Sequence, residues 1–346
     1  IEHLIGTNQK DTLTGDTNLN KVQGMGGDDL IYGQDGGDYL YGGAEATNSI
    51  RSGNDTIDGK GGDDFIYAGD GNDTLYGGDG KDTLYGEDGD DEIQGGMGAD
   101  VLYGGTGADT FIFEQSDNQK DIVYGGTAEL DDSVNDLIDY SQALKGMTIT
   151  LASNNAKGTA ISQDQGEDDI YGIEHVRGSN LEGDTIYGNS ANNSIWGQGG
   201  DDTIYGISGA NYLNGGSGAD IIYAGVGADL LIGESGNDTF MTYYNASGVN
   251  EAAKFGATNT IYGGNWNGTT SSASGSDTVD YGSIIDNTYN IYADLSGTSN
   301  NVEIRTGTTT VHKSDNVIDV NNVRGTSGDD TFRGNANSNI LNGSAG

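Results

Sequence analysis

Residues 59–112 read GKGGDDFIY, AGDGNDTLY, GGDGKDTLY, GEDGDDEIQ, GGMGADVLY and GGTGADTFI, a run of nonapeptides in one frame. The frame is G-G-x-G-x-D-x-U-x, with U a large apolar residue. Each x-U-x predicts a short strand whose U side chain points inward, while the glycines let the turn take positive φ and bring carbonyls close to an ion. Two strands and two turns then close a coil of 18 residues. Alternate repeats stack on the same side at about 4.8 Å, the spacing between neighbouring strands. The frame extends backwards through GMGGDDLIY and GQDGGDYLY from Gly24, across an insertion at Ala44–Ser52. A second array runs from about Gly178 to Met241, and a third begins at Gly325 with GTSGDDTFR.

Stacking places the sixth-position aspartates above one another. Asp29, Asp55, Asp73, Asp91 and Asp109 fall on one side, and Asp38, Asp64, Asp82 and Asp100 on the other. Two carboxylates at such a spacing repel by roughly 3.5 kcal/mol at an effective dielectric near 20. A hard cation between turns converts that repulsion into attraction. Carboxylate and carbonyl oxygens on a flexible loop favour Ca²⁺, so several calcium ions are the expected cofactors. The second array offers Asp184, Asp202, Asp220 and Asp238 on one side but Asn193, Asn211 and Asp229 on the other, which predicts weaker or missing calcium there. Asp330 is the candidate ligand of the third array. Asn20, Asn193 and Asn339 each hold the sixth position in the second repeat of their array, which reads as a hydrogen-bonded start without metal.

Composition agrees. The 346 residues include 62 Gly, no Pro and no Cys, and the formal charge is −40. Proline would remove N–H groups that the ladders need. Without Cys there is neither a disulfide nor a thiolate metal site. The acidity argues against nucleic acid or an anionic membrane surface as partner. No apolar run is long enough to span a bilayer as a helix. Ile1-Glu2-His3 shows no signal-peptide pattern, so we expect a fragment, a mature product or another export signal.

The nonapeptides resemble the repeats-in-toxin (RTX) family of calcium-binding β-rolls. The resemblance implies an all-β parallel β-roll, or β-solenoid. It also implies a bacterial protein exported by a type I route and located outside the cell or on its surface. We expect a first array over residues 1–114, a β-rich connector over 115–172, a second array over 173–241, a connector over 242–319 and the start of a third array over 320–346. The connectors share a pattern: Ile122–Gly126, Asp136–Tyr140 and MTITLAS from Met147 against Thr260–Gly264, Asp277–Tyr281 and YNIYADLS from Tyr289. They keep strand alternation but lack the glycine turn, so they should continue or cap the roll.

Most of the 20 Tyr sit at the outward ninth position. Tyr41, Tyr67, Tyr85 and Tyr103 form one predicted stripe if the insertion keeps phase, and Tyr187, Tyr205 and Tyr223 another. In-sheet stacking is the plain reading. A contact face for another copy of the chain, or for a cell-surface glycan, is the sharper one. The serine- and threonine-rich stretch from Asn267 reads as an exposed loop, like the insertion. No G-x-S-x-G, H-E-x-x-H or phosphate loop is present, so no enzyme is expected. The expected function is a calcium-dependent structural module of a surface layer, filament or adhesin. The alternative is the calcium-binding region of a secreted hydrolase, epimerase or toxin whose catalytic domain lies elsewhere.

Overall fold

In the computed structural model the described residues are 2–43, 53–113, 118–126, 135–153, 156–242, 258–266, 271–272, 275–282, 289–296, 300–306 and 310–344. The Ala44–Ser52 insertion, and residues 267–270 and 273–274 of the Asn267 stretch, lie outside them. The described residues hold strands and turns but no helix, and the long ladders are parallel. The fold is a parallel β-roll. It divides into two compact units, Ile1–Arg177 and Gly178–Gly346.

The first unit has two facing ladders. One runs through Phe65–Asp70, Thr83–Asp88 and Val101–Thr106, and the other through Thr56–Gly61, Thr74–Asp79 and Glu92–Met97. The register follows the nonapeptide: Ile66 lies beside Leu84 and Leu84 beside Leu102, while Ile57, Leu75 and Ile93 align opposite. All six side chains are fully buried. Each strand therefore gives the core one apolar side chain. Its neighbours in sequence point outward because side chains alternate along a strand.

Insertions leave this register intact. Tyr41 pairs with Tyr67 across the Ala44–Ser52 segment, so the stripe stays in phase. The first connector also contributes regular rungs. Val123 of Ile122–Tyr124 pairs between Leu102 and Ile170, and Ile138 of Leu137–Asp139 between Phe111 and Val176. Gly158–Ser162 and Thr148–Thr150 extend the first sheet antiparallel beyond Gly166–Tyr171. Residues 141–142 form a turn, with the Ala143 N–H donating to the Tyr140 carbonyl at 2.9 Å.

The second unit repeats the plan. Ile186, Ile204, Ile222, Phe240, Val279 and Val323 form one core column, and Ile195, Leu213, Leu231, Ile261 and Val317 the other. Tyr289–Asp294, Asn300–Thr306 and Thr310–Ile318 form an antiparallel meander set between Thr260–Tyr262 and Thr331–Arg333 in the second sheet. The start of the third array packs here, with Asn322–Arg324 beside Thr278–Asp280 and Thr331–Arg333 beside Tyr289–Asp294.

Outward tyrosines stack face to face. In the first unit Tyr41, Tyr67, Tyr85, Tyr103, Tyr124 and Tyr171 form one file with successive centroids 4.6–5.3 Å apart. The last two members come from the connector. Tyr187, Tyr205 and Tyr223 make the file of the second unit, at 4.5 and 4.4 Å. Tyr39 stacks on Phe65 at 5.2 Å along a neighbouring row.

With one aliphatic side chain per strand, no second layer can fill a gap. Leu84→Ala should cost about 2–4 kcal/mol, read as a lower denaturation midpoint in saturating calcium. A loss below about 1 kcal/mol would show that the column is not tightly packed.

Candidate metal centres

Along the ladders, most sixth-position aspartates are fixed through one oxygen and leave the other buried without a hydrogen-bond partner. In the first unit the Asp55 N–H donates to Asp73 Oδ1 at 2.6 Å, Asp73 N–H to Asp91 at 2.8 Å and Asp91 N–H to Asp109 at 2.9 Å. The opposite side runs from Asp38 through Asp64 and Asp82 to Asp100 in the same way, at 2.6–2.8 Å. Asp29 opens the first of these ladders beyond Asp11. In the second unit Asp184, Asp202, Asp220 and Asp238 form one ladder at 2.7–3.0 Å. The predicted stacks are thus the stacks that the fold builds.

The second oxygen is the chemical problem. The Oδ2 atoms of Asp29, Asp38, Asp55, Asp64, Asp73, Asp82, Asp91, Asp202, Asp220, Asp229, Asp238 and Asp330 are buried and have no hydrogen-bond partner. Asp100 and Asp109 continue their ladders and are fully buried. Beside several of these Oδ2 atoms lies a cradle. A carbon placed on Gly33 would sit 2.5 Å from Asp38 Oδ2 and 2.8 Å from the Gly59 carbonyl oxygen. Gly59 stands in the same relation to Asp64 and the Gly77 carbonyl, and Gly197 to Asp202 and the Gly215 carbonyl.

Among the described residues no three acidic or histidine side chains converge on one point. The donor sets are instead a carboxylate oxygen with carbonyl oxygens of neighbouring turns. That all-oxygen chemistry fits calcium. Asp64, Asp73, Asp82, Asp202 and their ladder neighbours would hold it, with the glycine carbonyls. Bound there, calcium would supply the positive charge that the buried oxygens lack.

Burial pushes these carboxyls up, with neighbouring aspartates adding to the shift and the backbone N–H bonds opposing it. Asp73, Asp82 and Asp202 reach about 8. Asp55, Asp64 and Asp238 reach about 7.

Asp184 stands apart from the other predicted ligands. Its Oδ2 accepts the Ser179 N–H at 2.7 Å. The same closure marks the other array starts. Asp11 Oδ2 accepts the Thr7 N–H at 2.5 Å, Asn20 Oδ1 the Asp16 N–H at 2.6 Å, Asn193 Oδ1 the Asn189 N–H at 2.9 Å and Asn339 Oδ1 the Asn335 N–H at 2.9 Å. Asp330 lies outside the two long stacks. Its Oδ1 accepts the Ile291 N–H at 2.7 Å.

The amide side of the second unit carries its own donors. Asn211 Nδ2 donates to the Gly206 and Ser208 carbonyls at 3.1 Å each, and to Asp229 Oδ1 at 3.0 Å. It thus engages the turn carbonyls that would otherwise face an ion. Further along, the buried Lys313 Nζ lies 3.0 Å from the Thr242 carbonyl and 3.3 Å from Asp315 Oδ1.

Sequence reasoning missed the connector members of the ladders. Asp109 N–H donates to Asp136, and Asp100 N–H to Asp121, whose own N–H reaches Asp168. Asp238 N–H donates to Asp277, and Asp229 leads through Asn259 to Asp315. Two ladders end on a fully buried tyrosine: Tyr140 Oη donates to Asp168 Oδ2 at 2.9 Å, and Tyr281 Oη to Asp315 Oδ2 at 2.8 Å. The visible signal was the shared Asp136–Tyr140 and Asp277–Tyr281 pattern. Repeat spacing alone could not extend the ladder through it.

The model of the RTX calcium-binding nonapeptide repeat matches residues 14–46, 51–84, 76–111, 180–206, 205–240 and 318–346, more than half of the chain. The chain belongs to the RTX calcium-binding nonapeptide repeat family. No curated protein matches it. RTX repeats form a calcium-binding structural β-roll and are typical of secreted bacterial proteins. No helix among the described residues is long and apolar enough to cross a membrane.

Asn211→Asp should remove the Nδ2 donor and raise calcium stoichiometry by one ion per chain, measured by equilibrium dialysis. An unchanged stoichiometry would show that the amide does not stand in for a cation. The metal-free roll should also respond to acid. The folded-state pKa values are raised above the unfolded value near 3.9, so the carboxyls' stabilising contribution is full below about pH 4 and lost as pH rises through about 6–8. In chelator, circular dichroism should show strand content at pH 5 and much less at pH 8. Equal spectra at the two values would contradict the burial of these groups.

Proposed function

We propose that the chain is a non-catalytic structural module of a secreted bacterial cell-surface protein, belonging to a surface layer, a filament or an adhesin, and that extracellular calcium folds it. The observation that carries this reading is the buried Oδ2 row, exemplified by Asp55, Asp73 and Asp91. A fold that places unneutralised carboxylates in its interior is unstable until a cation arrives, so binding and folding are one process. Extracellular calcium sites have affinities of about 10⁻⁴–10⁻³ M. Such sites stay empty in the cytosol and fill outside, which suits export of an unfolded chain by a type I route.

Two features favour a scaffold over an enzyme. The buried acids sit in the ladder register, where one oxygen is already committed to the neighbouring coil's N–H. The outer surface of the first unit carries the file of Tyr41, Tyr67, Tyr85, Tyr103, Tyr124 and Tyr171. We place self-association, or contact with a cell-surface glycan, on that file. Its stacked rings are half-exposed and repeat at the strand spacing, which suits a periodic partner.

The test is a calcium titration at neutral pH, followed by circular dichroism and light scattering together. Strand signal should rise between micromolar and millimolar calcium. Particle growth alongside it supports a layer or filament, and a constant monomer size supports an adhesin module. A fully formed roll in chelator at pH 7.5 would overturn the proposal.

A further inference from the structure

One site in the second unit departs from the repeat chemistry. Gly263 ends the Thr260–Tyr262 strand, and a carbon placed on it would sit 2.5 Å from Asp277 Oδ2 and 2.5 Å from the Asp319 carbonyl oxygen. Those two oxygens are therefore no further apart than twice that distance. In the repeats the corresponding carbonyl belongs to Gly or Ala, as at Gly77, Gly95 and Ala68. In the first connector it belongs to Gly172, beside Asp136. Among the described residues, Asp319 is the one acidic residue in this role.

The hydrogen bonds of Asp277 leave one atom over. Its Oδ1 accepts the Asp238 N–H at 3.0 Å, and its carbonyl accepts the Asn321 and Asn322 N–H groups at 3.1 and 2.9 Å. The residue is fully buried and its Oδ2 has no hydrogen-bond partner. Asp319 Oδ2 is also buried without a hydrogen-bond partner. Burial raises the Asp277 carboxyl to about 6, and Asp319 adds to the shift by like-charge repulsion. Asp319 has φ +55°, a region that an L-residue other than glycine enters at a conformational cost. Gly172 holds the matching place in the first connector at φ +64° without that cost.

We propose that Asp277 and Asp319 form a divalent-cation site outside the nonapeptide frame, taking calcium through Asp277 Oδ2, the Asp319 carbonyl oxygen and the Asp319 carboxylate. This rests on the reading that calcium folds the chain and adds a site with one more carboxylate than the repeats use. Greater ligand charge tightens calcium binding. The ion would join the two ends of the long segment between Asp277 and Asp319, fastening the meander to the coil beneath it. The site fills at lower calcium than the single-carboxylate sites and fixes the second connector first.

The experiment uses the whole chain with calcium chloride as the probe and magnesium chloride as the control. Asp319→Gly keeps the positive φ, so folding in saturating calcium is preserved and can be checked by circular dichroism. The variant should hold this ion more weakly, so that equilibrium dialysis at sub-saturating calcium finds one ion fewer per chain than in the unaltered protein, with the difference closing at saturation. The calcium midpoint for hydrogen-exchange protection of Thr260–Tyr262 and Thr278–Asp280 should rise about tenfold, while that of Thr74–Asp79 stays unchanged. Gly172→Asp should lower the midpoint for Leu137–Asp139. Unchanged stoichiometry and midpoints in Asp319→Gly would overturn the site while leaving calcium-driven folding in place. Absence of calcium-dependent protection anywhere in the unaltered chain would instead remove the folding reading itself.

Discussion

The structure depends on a division of labour within one carboxylate. Along the ladders, Oδ1 of a sixth-position aspartate accepts the N–H of its counterpart one coil earlier, as Asp73 does from Asp55 and Asp220 from Asp202. That bond lies inside the roll and holds consecutive coils in register. It also fixes Oδ2 away from water. An ionised oxygen buried without a partner costs several kcal/mol after relaxation. One inward aliphatic per strand, contributing about 1.5–3 kcal/mol, cannot carry such a load at every turn. The feature that aligns the coils is thus also the feature that destabilises them until positive charge is supplied. The fold and the metal site are a single arrangement.

The ends of the ladders show how this fold manages without an ion. At the starts, a turn residue offers its backbone N–H: Thr7 to Asp11, Ser179 to Asp184, Asn189 to Asn193. At two far ends a phenol takes over, Tyr140 for Asp168 and Tyr281 for Asp315. Between these, on one side of the second unit, the Asn211 amide occupies the turn and Lys313 brings an ammonium group to Asp315. All of these are proton donors aimed at oxygens. The inward Oδ2 atoms of Asp55, Asp73, Asp91, Asp202 and Asp220 have none. Their difference from the ladder ends marks out where cations belong.

Much of this was legible in the nonapeptide frame. Its eighth position identifies Ile66, Leu84 and Leu102 as core, and its sixth aligns Asp64, Asp82 and Asp100. Period alone fixes both, because a coil repeats every other nonapeptide. Asp121, Asp136, Asp168 and Asp277 were not legible as ladder members, since extra residues, few or many, take them out of the 18-residue period that links the others. Asp184 matches the frame in residue type, yet its turn supplies the Ser179 N–H. A consensus position records which residue stands there but not which donors surround it. The burial of Tyr140 and Tyr281 was hidden for a related reason. Nearly every other tyrosine in the frame faces outward, and nothing in Asp136–Tyr140 itself shows that its last residue turns in.

Why the connectors interrupt the frame without interrupting the roll follows from the geometry of a coil. Each rung requires only about three residues per sheet in register, as Ile122–Tyr124 and Leu137–Asp139 supply. The rest of the segment can leave and return. Ile66 and Leu84 are joined through a single coil of 18 residues, whereas the chain from Ile261 to the paired Val317 is about three times longer. Loop-closure entropy grows only with the logarithm of length, so tripling the loop costs about 1 kcal/mol. One buried aliphatic side chain offsets that. The roll can therefore carry large outward segments at almost no loss of stability, provided that their two ends restore the inward apolar residue and the aspartate beside it. The two connectors differ in the segments that leave the coil, while each returns a side-chain oxygen of Asp or Asn to the ladder beneath.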